Sequence, residues 1–230
     1  MNKERIKSII ASHRRLFQVC FNVYNYINPK NKLVAKGAKL SIGTSLAKGL
    51  KIINHGTDNE VLIGNFVRIN NCTVHIHGNH NKIIIKDHAY LNQIELCIED
   101  SHNEISIGEH TSLCGRAHFA AIEGTKIIIG DNCLFSGDLH FRTGDSHSIL
   151  NMQGERINES KDIVIDDHVW IGTKVTCLNG VHVSKDSIVA ATTTLCKDYY
   201  TPNVIIAGVP GKVIKTDVNW CGERILISHR

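Results

Sequence analysis

A six-residue hydrophobic period dominates the C-terminal half of the chain. Between residues 163 and 195, aliphatic residues or cysteine recur at this interval, at Ile165, Ile171, Cys177, Val183, Val189 and Leu195. A second row lies two positions earlier, at Ile163, Val169, Val175, Val181, Ser187 and Thr193. Neither a 3.6-residue helix nor an ordinary β-hairpin produces a period of six. A solenoid of triangular coils does, because every sixth residue reaches the next corner and every eighteenth returns to the same face. The pattern therefore predicts short parallel strands that stack from coil to coil and bury their aliphatic rows inward.

A longer repeat of 22 residues precedes this region. Similar apolar segments begin at Val61, Ile83, Ile105 and Ile127. Asn59, Asn81 and Asn103 keep the same interval, each two residues before its strand. Asparagine tolerates left-handed backbone and hydrogen-bonds at turns, so a column of asparagines at one corner is expected. Residues 41–43 resemble these apolar segments but are displaced by one residue from the 22-residue interval. The N-terminal coils are thus predicted to be 18-residue coils with four added residues.

Three segments depart from the repeats. Residues 1–29 are expected to form an amphipathic helix that caps the open end of the solenoid, with contact to an anionic membrane surface as an addition. Its apolar positions are Ile6, Ile9, Ile10, Phe17, Cys20, Phe21 and Tyr24, and its basic positions are Lys3, Arg5, Lys7, Arg14 and Arg15. The solenoid itself is predicted over 33–216, and its register is lost in the polar stretch 139–162, which is expected to protrude as a loop and display function. Residues 217–230 form a tail without a clear pattern.

Composition narrows the class of protein. A formal net charge of +4 over 230 residues is too small and too scattered to indicate a dedicated nucleic-acid binder. The eight cysteines form no CxxC pair, so they are expected to be reduced core residues in a cytoplasmic protein. The sequence shows neither a run of eighteen apolar residues nor a signal peptide.

The C-terminal half also carries a recognisable motif series. Residues 165–172 have the sequence IDDHVWIG, and the six-residue repeats continue from there to Ala190-Ala191 and Lys197-Asp198. Residues 207–214 then have the sequence AGVPGKVI. This series resembles the hexapeptide-repeat acyltransferases in order and spacing. The loop sequences RTGDSH (142–147) and GERIN (154–158) are most similar to those of bacterial capsular polysaccharide O-acetyltransferases, including those that act on polysialic acid. The resemblance is specific over about 127–216 and architectural over 33–126.

The resemblance implies an all-β fold, a left-handed parallel β-helix, assembled as a homotrimer with acetyl-CoA in a groove between neighbouring subunits. His147 matches the catalytic histidine of the family, and Trp170 matches a residue at the thioester end of the groove. The matching cofactor-binding positions are Trp170, Gly172, Ala190, Ala191, Lys197, Gly208, Pro210, Lys212 and Lys215. One departure is Ser148, which stands where the family often has proline after the histidine.

The chemistry explains why one histidine is sufficient. A thioester is already an activated acyl donor, so no metal is expected. A sugar hydroxyl needs a base to take its proton, and His147 is the candidate for that role. His140 is the competing base, although its spacing from His118 suggests a coil position. Asp145 is the candidate partner of the imidazole.

Several of these residues have a simpler alternative role. Arg142 and Arg156 are expected either to hold an anionic polysaccharide or to form ordinary loop ion pairs. Trp170 could instead cover a subunit interface.

We therefore expect an acetyl-CoA-dependent O-acetyltransferase of a capsular or other surface polysaccharide. The first alternative keeps the donor and acetylates a nucleotide-linked amino sugar on nitrogen. A second is a γ-type zinc carbonic anhydrase, for which the pairs His80/His102 and His118/His140 would be the nearest ligands. A third is a solenoid that serves as a non-catalytic scaffold.

Overall fold

The computed structural model describes residues 14–33 and 36–226, and these form one helix followed by a parallel β-solenoid of about seven turns. The helix is α1 (Arg14–Ile27). The strands of the 22-residue coils are β1 (Ala38–Ile42), β2 (Leu46–Lys48), β3 (Lys51–Asn54), β4 (Asn59–Ile63), β5 (Arg68–Asn70), β6 (Thr73–Ile76), β7 (Lys82–Ile85), β8 (Tyr90–Asn92), β9 (Ile94–Ile98), β10 (Glu104–Ile107), β11 (Ser112–Leu113), β12 (Ala117–Ala121), β13 (Lys126–Ile129), β14 (Leu134–Phe135) and β15 (Leu139–Arg142). The strands of the C-terminal coils are β16 (Ile163–Ile165), β17 (Trp170–Ile171), β18 (Thr176–Cys177), β19 (His182–Val183), β20 (Ile188–Val189), β21 (Thr194–Leu195), β22 (Ile205–Ala207) and β23 (Lys212–Lys215).

Each coil contributes one strand to each of three sheets. Sheet 1 has the order β1-β4-β7-β10-β13-β16-β19, sheet 2 has β2-β5-β8-β11-β14-β17-β20-β22-β23, and sheet 3 has β3-β6-β9-β12-β15-β18-β21. Pairing is parallel except between β22 and β23. In sheet 1, Val61, Ile83, Ile105 and Ile127 are in register, which confirms the 22-residue repeat. Ile42 pairs with Ile63, so the first coil is one residue shorter, as predicted.

The core is the column enclosed by the three sheets. All twelve residues of the two predicted six-residue rows between 163 and 195 are at most 1% exposed. Phe119, Phe135 and Phe141 fill the centre of the coils next to the loop, with Phe119 edge-on to Phe141 at 4.8 Å. The predicted role of cysteines as core residues holds for Cys72, Cys133 and Cys177 but not for Cys20, Cys114, Cys196 and Cys221, which are exposed.

The asparagine column lies between sheets 3 and 1 and is buried. The backbone N–H of Asn81 donates to Asn59 Oδ1, and that of Asn103 donates to Asn81 Oδ1, both at 2.8 Å. One detail of the prediction was wrong, because the left-handed residues are those just before the asparagines, including His80 at φ 58° and His102 at φ 65°. The asparagines instead follow the corner and use their amides to join successive coils.

Helix α1 covers the first coil through buried amide groups. Asn25 is fully buried, donates to the carbonyl of Ser45 and accepts from the N–H of Ala47. Asn31 accepts from the N–H groups of Gly49 and Leu50. These bonds pair backbone groups at the open edge of the first coil, the edge for which the sequence predicts a cap. The predicted helical positions before residue 14 lie outside the described residues.

The loop and the tail differ from the predicted boundaries. Residues 139–142 form β15 and continue the solenoid, so the polar excursion begins at Thr143 and ends at Asp162. Strand β23 adds to the edge of sheet 2, and the tail after it packs beside β17. In the described residues, no helix is long and apolar enough to span a bilayer.

Candidate active site

The loop 143–162 leaves the solenoid at the corner where sheet 3 turns into sheet 1. Thr143 is buried, and its hydroxyl accepts from the backbone N–H of Ile122 and shares a hydrogen bond with the Thr125 hydroxyl. The N–H of Lys161 donates to the Thr143 carbonyl, so the two ends of the loop close on each other. Gly144 is needed at this closure, because a Cβ there would lie 1.9 Å from Ser160 Oγ. The loop therefore has a fixed base.

Arg142 connects the last strand before the loop to the loop itself. Its guanidinium forms an ion pair with Glu99 at 2.9 Å and donates to Ser146 Oγ at 3.0 Å, next to His147. A further bond reaches the carbonyl of Gly144. Of the two roles expected for Arg142, the structure shows the ion pair.

Arg156 and Glu123 form a second anchor. The guanidinium donates to both carboxylate oxygens of Glu123, and Ser160 Oγ donates to the same group at 2.7 Å. Hydrogen bonds from Arg156, followed by those from Ser160, lower the pKa of Glu123 to about 2. Glu123 thus holds the returning half of the loop against the coil before it. Sequence reasoning missed Glu99 and Glu123, although both lie just after neighbouring strands of sheet 3.

His147 is exposed at the outer part of this loop. Asn158 fixes its backbone, with Nδ2 donating to the His147 carbonyl at 2.8 Å and to Asp145 Oδ2 at 2.9 Å. Asn158 Oδ1 accepts from the N–H of Ile149. Asp145 is therefore joined to His147 through Asn158, and no hydrogen bond from the described residues reaches the imidazole. Asn158 was not among the predicted site residues.

Most of the predicted cofactor-binding residues share a different surface, formed by sheet 2 and its end toward sheet 3. Trp170 begins β17 and is 39% exposed. Gly172 lies directly after this strand, and a Cβ there would lie 2.6 Å from the backbone nitrogen of Ala191 on the next coil. Ala190 and Ala191 form the adjacent corner. These positions give a smooth surface of small residues beside an exposed indole ring.

The hairpin between β22 and β23 extends this surface. The carbonyl of Gly208 accepts from the N–H of Thr194, and a cis peptide bond precedes Pro210. Lys212 and Lys215 are exposed on β23. Lys197 does not belong to this group, because it follows β21 at the corner with the loop, where its ammonium lies 5.9 Å from the Tyr199 ring centre.

The tail supplies a neighbour for Trp170 that sequence reasoning missed. Trp220 stacks on His168 at 4.4 Å and donates from Nε1 to the His168 carbonyl at 2.8 Å. Its ring centre is 6.1 Å from that of Trp170. His168 is held in turn by Asp186 at 2.9 Å. The two tryptophans of the chain thus lie side by side.

His140 lies in the solenoid wall, where its spacing from His118 placed it. The two residues pair in sheet 3, and their rings stack at 5.2 Å. Desolvation, together with the nearby charges of His118 and Arg142, lowers the pKa of His140. His140 therefore belongs to the strand β15 and not to the loop that carries His147.

The loop and Trp170 occupy different sides of the triangular coil. The loop contacts the coils at the corner of sheets 3 and 1, directly through Glu123 and Asn179, and through Arg142 of β15 with Glu99. Trp170 lies beyond the next corner, on sheet 2. The segment between them, from Asp162 to Val169, contains strand β16 of sheet 1 and the turn that follows it.

Comparison with solved structures places this arrangement in a family. The polysialic acid O-acetyltransferase OatWY superposes with a TM-score of 0.75 at 30% identity, over 86% of this chain and 93% of that chain. The chain belongs to the hexapeptide-repeat O-acetyltransferase family. The polySia-specific acetyltransferase NeuO gives a TM-score of 0.68 at 26% identity, over 84% of this chain and 86% of the other. The predicted left-handed β-helix fold is confirmed.

Curated members of this hexapeptide-repeat family match a shorter part of the chain. The polysialic acid O-acetyltransferase of Neisseria meningitidis is 34% identical over 107 residues, which is 46% of this chain and 50% of that protein. The match to the galactoside O-acetyltransferase of Escherichia coli strain K12 is 35% identical over 96 residues, 46% of that protein. The chain thus aligns with about half the length of these relatives. No family model matches it.

Proposed function

We propose that this protein transfers an acetyl group from acetyl-CoA to a hydroxyl of a bacterial capsular or other surface polysaccharide. The observation that carries the proposal is the family likeness to OatWY over most of both chains, combined with an exposed histidine in a firmly anchored loop. The names of the relatives favour an acidic polysaccharide, such as polysialic acid, as the acceptor.

His147 acts as the general base. It removes the proton from the attacking hydroxyl while the oxygen adds to the thioester carbonyl, and coenzyme A thiolate leaves. A positioned base of this kind contributes on the order of 10²–10⁴ in rate. Support comes from the loop, which Arg142, Arg156 and Asn158 hold at three points, so the imidazole is presented from a restrained backbone.

The donor lies along sheet 2. The indole of Trp170 lies beside the thioester, and the small residues Gly172, Ala190 and Ala191 leave room for the pantetheine arm. Gly208 and Pro210 shape the far end, where Lys212 and Lys215 meet the phosphates. Lys197, at the other corner, would reach only a donor bound to a neighbouring subunit.

The active site forms between subunits of a homotrimer. In one chain a whole wall of the solenoid separates the His147 loop from Trp170. A donor beside Trp170 can therefore meet His147 when the loop of one subunit faces sheet 2 of the next. This reasoning makes the site incomplete in a monomer.

The acceptor binds beside the loop. Asp145 and the outer faces of Arg142 and Arg156 border the loop, and both arginines already engage Glu99 and Glu123 of their own chain. We propose that they bind an acidic sugar with the guanidinium groups held in place by these carboxylates, rather than as free cations.

The protein acts in the cytoplasm, close to the membrane. Support comes from α1, on which Leu16, Val19, Val23, Tyr26 and Ile27 are all more than half exposed. Such a face can lie on a membrane surface while the other side of the helix caps the solenoid.

The test is transfer of labelled acetyl from acetyl-CoA to a panel of capsular polymers and nucleotide-linked amino sugars. We expect label in an acidic polymer, released by mild alkali as an ester. Alkali-stable label on an amino sugar would instead identify an N-acetyltransferase. Neither transfer nor hydrolysis of acetyl-CoA with any acceptor would contradict the proposal and favour the scaffold alternative.

A further inference from the structure

A column of left-handed residues marks the corner between sheets 1 and 2. Such backbone is uncommon except for glycine, asparagine, aspartate and histidine. The column consists of Phe66, His88, His110, Asn132, His168 and Asp186. Two of its members, His88 at φ 62° and His110 at φ 56°, stand on successive coils. This histidine pair lies on the N-terminal coils, remote in sequence from the loop.

The backbone holds the two histidines at a fixed separation. The N–H of His88 donates to the Asn65 carbonyl at 2.8 Å, and that of His110 donates to the Asp87 carbonyl at 3.1 Å. Their rings stack with centres 4.5 Å apart and planes within 3° of parallel. Both side chains are exposed to solvent. The corner thus presents two imidazoles side by side.

Glu109 adds a carboxylate to this pair. Its Oε1 lies 3.4 Å from His110 Nε2, and its backbone N–H is held by Asp131 Oδ1 at 2.7 Å. One ligand atom from each of His88, Glu109 and His110 lies within 4.8 Å of the others. Within the described chain, no other set of three histidine, cysteine or acidic side chains converges in this way.

We propose that His88, Glu109 and His110 bind one divalent transition-metal ion, with zinc as the representative. Imidazole nitrogen and carboxylate oxygen bind zinc at about 2.0–2.2 Å, so two ligands of one ion lie roughly 3–3.5 Å apart. To share an ion, the two stacked rings must turn about their χ angles, which both side chains can do because they are exposed. Three protein ligands leave a fourth position for water, and the ion joins two successive coils.

Other histidine pairs of the solenoid provide an internal comparison. His80 and His102 have the same 22-residue spacing, left-handed backbone and stacking, at 5.2 Å. They lack a converging third ligand. The proposed site should therefore bind zinc and the His80/His102 pair should not, although the sequence spacing of the two pairs is identical.

The experiment titrates zinc chloride into chelator-treated, full-length protein and follows heat and thermal unfolding. We expect one zinc per chain and a higher Tm. In the double variant His88→Asn, His110→Asn, and in Glu109→Gln, affinity should fall at least about tenfold. Asparagine accepts the left-handed backbone, so these variants should keep the metal-free Tm of the wild type.

The matched control is His80→Asn with His102→Asn, which should bind zinc like the wild type. Equal affinity in the His88/His110 double variant would place the ion elsewhere and overturn the proposal. Failure of the wild type to bind stoichiometric zinc would do the same. Neither outcome depends on acetyl transfer.

Discussion

Asn158 organises the candidate base through its main chain. One side-chain amide bonds the His147 carbonyl, the Asp145 carboxylate and the N–H of Ile149, which fixes the backbone around His147 on both sides. The imidazole has no such bond to the described residues, so its final direction depends on the substrates or on a neighbouring subunit. This is consistent with a base that must approach a hydroxyl from solvent.

Replacement of His147 by alanine should reduce acetyl transfer at least about a hundredfold, because the hydroxyl then loses its base. The fold should persist, since the side chain is exposed. Steady-state transfer, with thermal unfolding as the fold control, measures both. His140→Ala is the matched variant and should keep most of the activity. If His147→Ala retains near-normal rates, or His140→Ala is the inactive one, the assignment of the base is wrong.

Replacement of Trp170 by alanine should mainly weaken use of the donor. An indole that packs against the thioester contributes about 1.4 kcal/mol or more, which corresponds to a rise of roughly tenfold in the KM for acetyl-CoA. The KM for the acceptor should change little. Trp170→Phe, which keeps an aromatic ring, should recover much of the loss. An unchanged donor KM in Trp170→Ala would contradict the placement of the donor on sheet 2.

At the scale of the elements, the strands were predictable and the loop contacts were not. Buried positions recur at a fixed interval because every coil buries the same inward face. The burial of Ile165 and Ile171 could therefore be predicted from their six-residue spacing. The residues that anchor the loop follow no repeat. Glu99 bonds Arg142, 43 positions later, and Glu123 bonds Arg156, 33 positions later. His147 and Trp170 were predicted through a family resemblance. Asn158 lies in the GERIN segment that carries this resemblance, but its bonds to the loop, like the contacts of Trp220, follow from no spacing.

The Glu123 anchor predicts how the loop responds to acid. Its folded pKa of about 2 lies below the ordinary value of 4.5, so the stabilisation is complete above about pH 4.5 and is lost as pH falls toward 2. Glu123→Gln should therefore increase amide hydrogen exchange over residues 143–162 at neutral pH, with the coils unaffected. Glu155→Gln, in the same loop but bonded to Asn151, is the control. Loosening of the wild-type loop already between pH 7 and 5 would contradict this anchor.

The buried asparagine column predicts a stability effect far from the active site. Asn81→Ala removes the acceptor of the Asn103 N–H, which is buried, and the donor to the His77 carbonyl, which is partly buried. A buried group left unpaired costs about 1–3 kcal/mol, so denaturant unfolding should shift by that order. Asn79→Ala, at an exposed turn of the same coil, serves as the control and should cost less. Equal losses in the two variants would mean that burial of the column is unimportant.

At the scale of the whole molecule, the triangular cross-section decides what one chain can do alone. Within one chain a wall of sheet 1 lies between the loop at one corner and the indole beyond the next corner, which is why we propose a site shared between subunits. In the proposed homotrimer, the loop of one subunit would face sheet 2 of the next.

Coexpression of the His147→Ala and Trp170→Ala chains tests this division of labour. If each site takes His147 from one subunit and Trp170 from its neighbour, about one quarter of the interfaces in randomly mixed trimers are wild type at both positions. Activity at an acetyl-CoA concentration well below the KM of Trp170→Ala should then rise above that of either variant alone. Light scattering should give the mass of a trimer for the mixture and for each parent. A monomeric mass, or a mixture no more active than the average of its parents, would mean that both residues serve the same chain, and the shared site would have to be abandoned.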